Sequence, residues 1–458
     1  MPFLQRLQSS LQALYQLPED SHYVIAYSGG VDSHVLLHGC KQLGLSLRAV
    51  HVHHGLQTVA DDWVRHCQAV CEQLAVELDV FYVDATSQQG LSPEETARNV
   101  RYQAIAKNLN PGDCLLTAQH ENDQAETLLL QLFRTASAAG LAAMPACKKL
   151  EQAVHVRPLL VFTRQEILQY AKAQHLHWVE DPTNQDSAIN RNFIRNEVLP
   201  ILQVRWPDVI AQLSIAAGLQ SNNLRVLEDM AAIDLAGLVR SDSGPYSSYS
   251  AYRVESQLSI SGLQSLSSAR VLNVLRLWII RMAKMPPSRN LLSEIERALI
   301  NASLDAESVV TFAHCEFRKY QNRLYLLTPA FSTGREKVYE WCPRQPLQIP
   351  ALNLQLSALG SAGNIEQACL TAGALSEKTL SVRFREGGER FHPAGRGHSQ
   401  RLKKLYQEAA VPPWERDTIP LIYLDDDLIA VGDLWVAKAF SARPGEAGWC
   451  IQLGRITG

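Results

Sequence analysis

An α/β fold, built on a doubly wound and mostly parallel sheet, is what the first half of this 458-residue sequence predicts, followed by a helical middle domain and a small α+β C-terminal domain. Three observations predict the sheet. Apolar runs of strand length alternate with amphipathic stretches of helix length. Polar residues gather directly after the strand-like runs. A glycine-rich turn, Ser28-Gly29-Gly30-Val31-Asp32-Ser33, joins the first run to a helix start.

The elements follow in order. The N-terminus, MPFLQRLQSSLQALYQLP, reads as an amphipathic helix whose apolar stretch is too broken for a secretory signal. Strand-like runs occupy 23–28, 47–54, 80–84, 114–120 and 154–160, with helical stretches near 32–43, 58–75, 93–109, 123–134 and 163–175. Ligands of such sheets bind at the carboxyl ends of the strands. There lie the turn at 28–33, then His51, His53 and His54, then the stretch His120–Glu126. These elements define a catalytic domain over 1–213. Residues 214–330 read as mainly helical, with a hairpin at 309–327. Pro343 and Pro346 punctuate a linker at 331–349, and 350–458 form the α+β module.

Composition excludes several classes. The chain is 46% hydrophobic and 19% charged, as a globular protein should be, and no run of eighteen apolar residues suggests a membrane span. Nine cysteines occur without a CxxC pair, which predicts reduced thiols in a cytoplasmic protein. The net charge of −3 argues against global attraction to nucleic acid, and 1–213 carries 16 Lys+Arg against 22 Asp+Glu. Basic residues are clustered locally instead: seven fall between Arg383 and Lys404, opposed only by Glu386 and Glu389.

The turn has the chemistry of a phosphate cradle. Gly29 and Gly30 let backbone N–H groups approach an anion, Ser28 and Ser33 add hydroxyl donors, and the following helix aims its positive end at the same place. The lysine of a P-loop is missing, and Asp32 would repel phosphate unless a metal ion such as Mg²⁺ lies between them.

SGGVDS resembles the PP-loop of the N-type ATP pyrophosphatases, which cleave ATP between the α and β phosphates and adenylate a substrate oxygen. Within that superfamily, further stretches are similar to the tRNA(Ile)-lysidine synthetases. They are TAQHENDQAETLLLQLFR (117–134), ETARNVRYQ (95–103), the block running from VHVRPLL to NRNFIRNEVLP, and the terminal GERFHPAGRGHSQRLKKLYQEAAVPPWER. The absence of CxxC argues against the alternative, a 2-thiolation enzyme of the same superfamily. The intact SGGVDS and DQAET argue against a non-catalytic RNA-binding protein.

The resemblance implies a two-step reaction. ATP adenylates O2 of the wobble cytidine of a tRNA(Ile) with a CAU anticodon. The ε-amine of free L-lysine then attacks C2 and expels AMP, so that the tRNA changes from methionine to isoleucine identity. It implies ATP binding by Ser28, Gly29, Gly30, Val31, Asp32 and Ser33, with Asp32 the expected Mg²⁺ ligand. Asp32, His120 and Asp123 are the expected catalytic groups, and Asp123 and Glu126 the expected lysine-binding acids. Arg98, Arg101, Arg191 and Arg195 are expected on the tRNA, as are Arg390, Arg401, Lys403, Lys404, Trp414 and Arg416 toward its acceptor arm. Related sequences commonly carry two consecutive acids where Asn122 and Asp123 stand here, and a Gly-rich turn where Thr135-Ala136-Ser137 stands. A homodimer stays open.

Overall fold

Strands buried on both faces need apolar side chains at successive positions, and the runs of the first half meet that need. The computed structural model describes residues 2–16, 18, 22–53, 60–83, 93–134, 137–150, 152–240, 252–303, 308–329, 338–361, 369–372, 379–443 and 446–456. Its first half contains, in chain order, α1 (Phe3–Leu14), β1 (Tyr23–Ala26), α2 (Val31–Gln42), β2 (Leu47–His53), α3 (Ala60–Gln73) and β3 (Leu78–Tyr82). Then come α4 (Pro93–Ala106), β4 (Cys114–Leu116), α5 (Glu121–Phe133), α6 (Ala138–Leu141), β5 (Cys147–Leu150), β6 (Ala153–Val156) and α7 (Arg164–Ala173).

The sheet order is β3-β2-β1-β4-β6-β5, parallel throughout except for the β5–β6 hairpin. Tyr23 and Ile25 enter one core with Leu7, Leu36 and Ile167, while Val24 enters the opposite core with Ile105 and Leu115. The chain leaves β1 for β2 on one side and later returns to place β4 on the other. The crevice between the carboxyl ends of β1 and β4 is therefore the topological switch point.

Several boundaries differ from the sequence expectation. The strand expected at 114–120 ends at Leu116, with a last sheet bond from the Thr117 N–H to Val156 O at 3.1 Å, and Ala118–His120 continue toward the crevice. The run at 154–160 ends at Val156, and Pro158, which has no N–H to donate, opens a 3₁₀ turn. The edge strand β5 was not foreseen. The expected division at 213/214 falls inside the continuous helix Val209–Leu238, and the compact units are Met1–Val226 and Leu227–Gly458.

The second unit is richer in strand than its helical spacing predicts. Helices Ser268–Ala283 and Arg289–Ile295 pack on a four-stranded antiparallel sheet that includes Tyr252–Ser259 and the expected hairpin. Residues assigned to a linker instead supply Tyr339–Trp341 and Leu347–Ile349, which pair with Leu380–Arg383 and Leu354–Ser361 of the C-terminal module. Among the described residues no helix is long and apolar enough to cross a membrane.

The expectation of nine reduced thiols is corrected in that module. Leu370 pairs with Trp449 and Thr371 with Gly448, so the antiparallel register sets Cys369 opposite Cys450, with Cα atoms 4.4 Å apart and the sulfurs joined. The two are 81 residues apart in sequence, and no local spacing announces the pair. Thiol titration of the protein denatured without reductant should count seven thiols per chain, the number of free cysteines, and Cys450→Ser should add one. A count of nine in the wild type would show the bridge does not form.

Candidate active site

The glycine turn is held from two sides. Gly29 adopts φ +85°, and a Cβ there would lie 3.2 Å from Cys67 Sγ, so both its conformation and its space require glycine. Its carbonyl accepts the Val179 N–H at 3.0 Å. Ser33 Oγ accepts the Ser28 N–H at 3.2 Å and donates to Gly30 O at 2.9 Å, closing the turn on itself. The first N–H groups of α2 have no intrahelical acceptor and point into the crevice with the positive end of the helix.

Across the crevice, α5 begins with an unusual cap. His120 Nδ1 accepts the Asp123 N–H at 3.4 Å, and Asp123 Oδ2 accepts the His120 N–H at 3.0 Å. This is a capping box with histidine in the Ser/Thr role. It also settles the tautomer: with Nδ1 accepting, a neutral ring carries its proton on Nε2. That nitrogen lies 3.8 Å from Asp32 Oδ2 and 3.5 Å from Asp123 Oδ2. The ends of β1 and β4 thus bring Asp32, His120 and Asp123 together.

Asp32 is the odd member of this group. Its Oδ1 is shielded and has no hydrogen-bond partner among the described residues, although 35% of the side chain is exposed. Desolvation raises its pKa, with His120 working in the opposite direction.

Asp123 is the reverse case. Burial opposes its ionisation, but His120, Arg191, the cap N–H and Arg195 outweigh burial and hold it below the usual carboxylate range. Glu126, one turn further and 0% exposed, accepts Arg195 Nε at 2.6 Å on one oxygen and Arg191 Nε at 2.8 Å on the other. The second nitrogens of both arginines reach Asp123 Oδ1 at 3.1 and 3.2 Å. The acids lie three apart on α5 and the arginines four apart on the helical stretch that runs from Asn190 through a π-turn at Ile194–Val198. The expectation of Arg191 and Arg195 as free phosphate contacts is corrected: both are engaged by the acids expected to bind lysine.

A cavity of about 450 Å³ opens beside this cluster, with Asn122, Glu126, Arg164, Gln185, Arg195 and Asn196 in its wall. Sequence reasoning missed Arg164, whose only signal is its place in the capping box TRQE. Asn122 Oδ1 accepts the Arg164 N–H at 3.1 Å, so the position without charge ties α5 to α7.

The remaining expectations divide. Arg98 and Arg101 are exposed on α4. His51, expected at the rim, is 5% exposed and bonded to Tyr27 O at 2.9 Å, and burial lowers its pKa. His53 lies 3.3 Å from Asp61, and His54 falls outside the described residues. In the C-terminal module Arg390, Arg401, Lys403 and Lys404 are exposed. Trp414 and Arg416 are corrected: both are buried, Trp414 with its ring 4.9 Å from that of Tyr325 and Arg416 donating from Nε to Val411 O at 2.9 Å. Neither face of that indole is open to an RNA base.

Comparisons with known proteins bear on the whole chain. A PP-loop domain profile matches residues 3–202, a TilS substrate binding domain profile 258–325 and a TilS substrate C-terminal domain profile 380–453. A tRNA(Ile)-lysidine synthase from Coxiella burnetii is 38% identical over 448 residues, covering 97% of this chain and 95% of that protein. The proteins of the same name from Methylococcus capsulatus and Serratia proteamaculans are each 38% identical, over 93% and 97% of this chain and 94% and 98% of their own lengths.

The buried charge cluster yields a stability test. Arg195→Leu strands Glu126 with half its compensation, and breaking a buried pair in this way costs about 3–5 kcal/mol. Urea melts should show that loss at neutral pH. Equal stability of variant and wild type at pH 7 would mean the cluster is not formed. The sign for Asp123 is fixed by its lowered pKa: its contribution is full above the unfolded-state value and lost as pH falls through the folded one.

Proposed function

The chain belongs to the tRNA(Ile)-lysidine synthase family, and from that premise we propose that it ligates free L-lysine to C2 of the wobble cytidine of tRNA(Ile) with a CAU anticodon. The observation that carries this reading is the meeting of Asp32, His120 and Asp123 between the glycine turn and the acid–arginine cluster. A nucleotide site and an amine site thereby share one crevice.

In the first step the cytidine O2 attacks the α-phosphorus of ATP, and the bond to the β-phosphate breaks. The turn and the N-terminus of α2 hold the departing pyrophosphate. The protonated Nε2 of His120 faces the same space as a donor, which suits it to bind a phosphate oxygen. The unpartnered Oδ1 of Asp32 fits a Mg²⁺ ion, which Asp32 would hold and which would supply neutralisation of phosphate charge.

In the second step the lysine ε-amine, free of its proton, attacks C2 and the C2–O bond to AMP breaks. Asp123 and Glu126 hold the lysine as a pair with unequal parts. Asp123 is the more accessible, 13% against 0%, and faces the incoming ammonium. Glu126 fixes the two guanidiniums, whose outer edges meet the lysine α-carboxylate. A cytidine must leave its stack to react, and the cavity beside Glu126 offers room for an unstacked base. Arg98 and Arg101 contact the tRNA in the first unit, and Arg390, Arg401, Lys403 and Lys404 contact it in the second, through phosphates.

Incubating a tRNA(Ile) CAU transcript with ATP and labelled lysine should place the label in one nucleoside with the mass of lysine-modified cytidine. Sulfur entering the tRNA in its place would identify a thiolation enzyme, and pyrophosphate release independent of lysine and tRNA would refute the ligation. Asp32→Asn should lower pyrophosphate release by roughly 10²–10³-fold, the usual scale for one electrostatic group. Because it removes an uncompensated carboxylate, the same variant should melt no lower than the wild type, and unchanged turnover would remove Asp32 from the site.

A further inference from the structure

The β5–β6 hairpin and the residue after it carry two cations, Lys148 and Arg157, that the reaction described above does not use. Lys148 pairs directly with His155 across the hairpin, so their side chains share one face of the sheet. On that face the Tyr102 ring of α4 lies 5.4 Å from the His155 ring, and the Arg98 guanidinium lies 5.7 Å over Tyr102. Arg157, the residue after β6, is 5% exposed. It donates to His155 Nδ1 at 3.3 Å and to Pro145 O at 2.7 Å, while its Nε has no partner. Three cations thus converge on one histidine.

No carboxylate answers them among the described residues: Arg98, Lys148 and Arg157 form no ion pair there. This occurs in a region where acids outnumber basic residues, 22 to 16 over 1–213. The histidine responds accordingly. Burial first, and then the charges of Arg157, Lys148 and Arg98, push His155 down to about 3. As a neutral ring accepting at Nδ1 from Arg157, it carries its proton on Nε2, which points to Thr117 Oγ at 2.7 Å. Thr117 in turn donates to Gln119, beside His120. The cluster therefore borders the crevice at the carboxyl end of β4.

A buried arginine without an acid is costly unless an anion arrives to complete it. We propose that the face of the β5–β6 hairpin bearing Lys148, together with Arg98 and the buried Arg157, is a phosphate seat that receives the RNA backbone as it enters the crevice. Lys148 and Arg98 are exposed and make the contact, and Arg157 supplies positive field from beneath. The inference rests on the proposed RNA substrate. The bland alternative is that lysine on an edge strand only blocks pairing with another chain.

Binding of the tRNA(Ile) CAU transcript measured across a salt series separates the two. Each phosphate contact contributes about −0.9 to the slope of log K against log salt. Lys148→Ala should shallow that slope by about one, and Lys148→Ala with Arg98→Ala by about two, with Lys148→Arg keeping the wild-type slope. Turnover at saturating tRNA should survive in the two single Lys148 variants. An unchanged slope in the double variant, while the wild type binds and modifies the transcript, would overturn the seat and leave the function standing. Self-association of Lys148→Ala by light scattering with an unchanged slope would also overturn it, in favour of the edge-blocking role. Absence of binding and modification by the wild type would instead refute the substrate.

Discussion

Everything at the crevice hangs from one buried carboxylate. Glu126 has no exposure and both its oxygens are engaged by arginines one helical turn apart. Those arginines also reach Asp123, so two acids on α5 and two bases on the neighbouring helical stretch form a closed set. Such sets add little net stability compared with an apolar core of the same volume. What they specify is arrangement. The Asp123 carboxylate is held by the arginines on one oxygen and by the His120 N–H on the other, and His120 in turn directs Nε2 toward Asp32. Asp32, in the first turn of α2, thus faces a histidine held by groups far from it in sequence.

This dependence explains what could be read without coordinates. The parallel sheet was legible because strands covered on both faces must be apolar at successive positions, as 23–26 and 114–116 are. Asp32, His120 and Asp123 were legible because residues just past the carboxyl ends of strands face the crevice whatever else surrounds them. Arg191 and Arg195 were seen as a pair on one helical face, but what that face meets is decided 65 or more residues away. Spacing reports a shared face; it does not report the neighbour.

The same limit accounts for the other misses. Trp414 sits in a basic stretch, which suggested an RNA surface, yet its ring is enclosed by Tyr320 and Tyr325. Cys369 and Cys450 meet only through strand register. The edge strand CKKL has two lysines where an apolar alternation would be sought, because an edge with one covered neighbour need not be apolar.

The remaining order lies in where charges are left incomplete. The acids of the cluster at the crevice are paired, Asp123 and Glu126 with arginines. Two other sets of charges are not. Asp32 keeps a shielded oxygen with no donor, and Lys148, Arg98 and Arg157 converge with no carboxylate partner among the described residues. Both are unfavourable in the chain alone, and they have opposite sign, so no single small ion relieves both. A polyanion crossing the hairpin would relieve the cations, and only a positive group could relieve the carboxylate. The two imbalances lie on the crevice and on its border at the carboxyl end of β4, and the proposed RNA substrate answers the second of them.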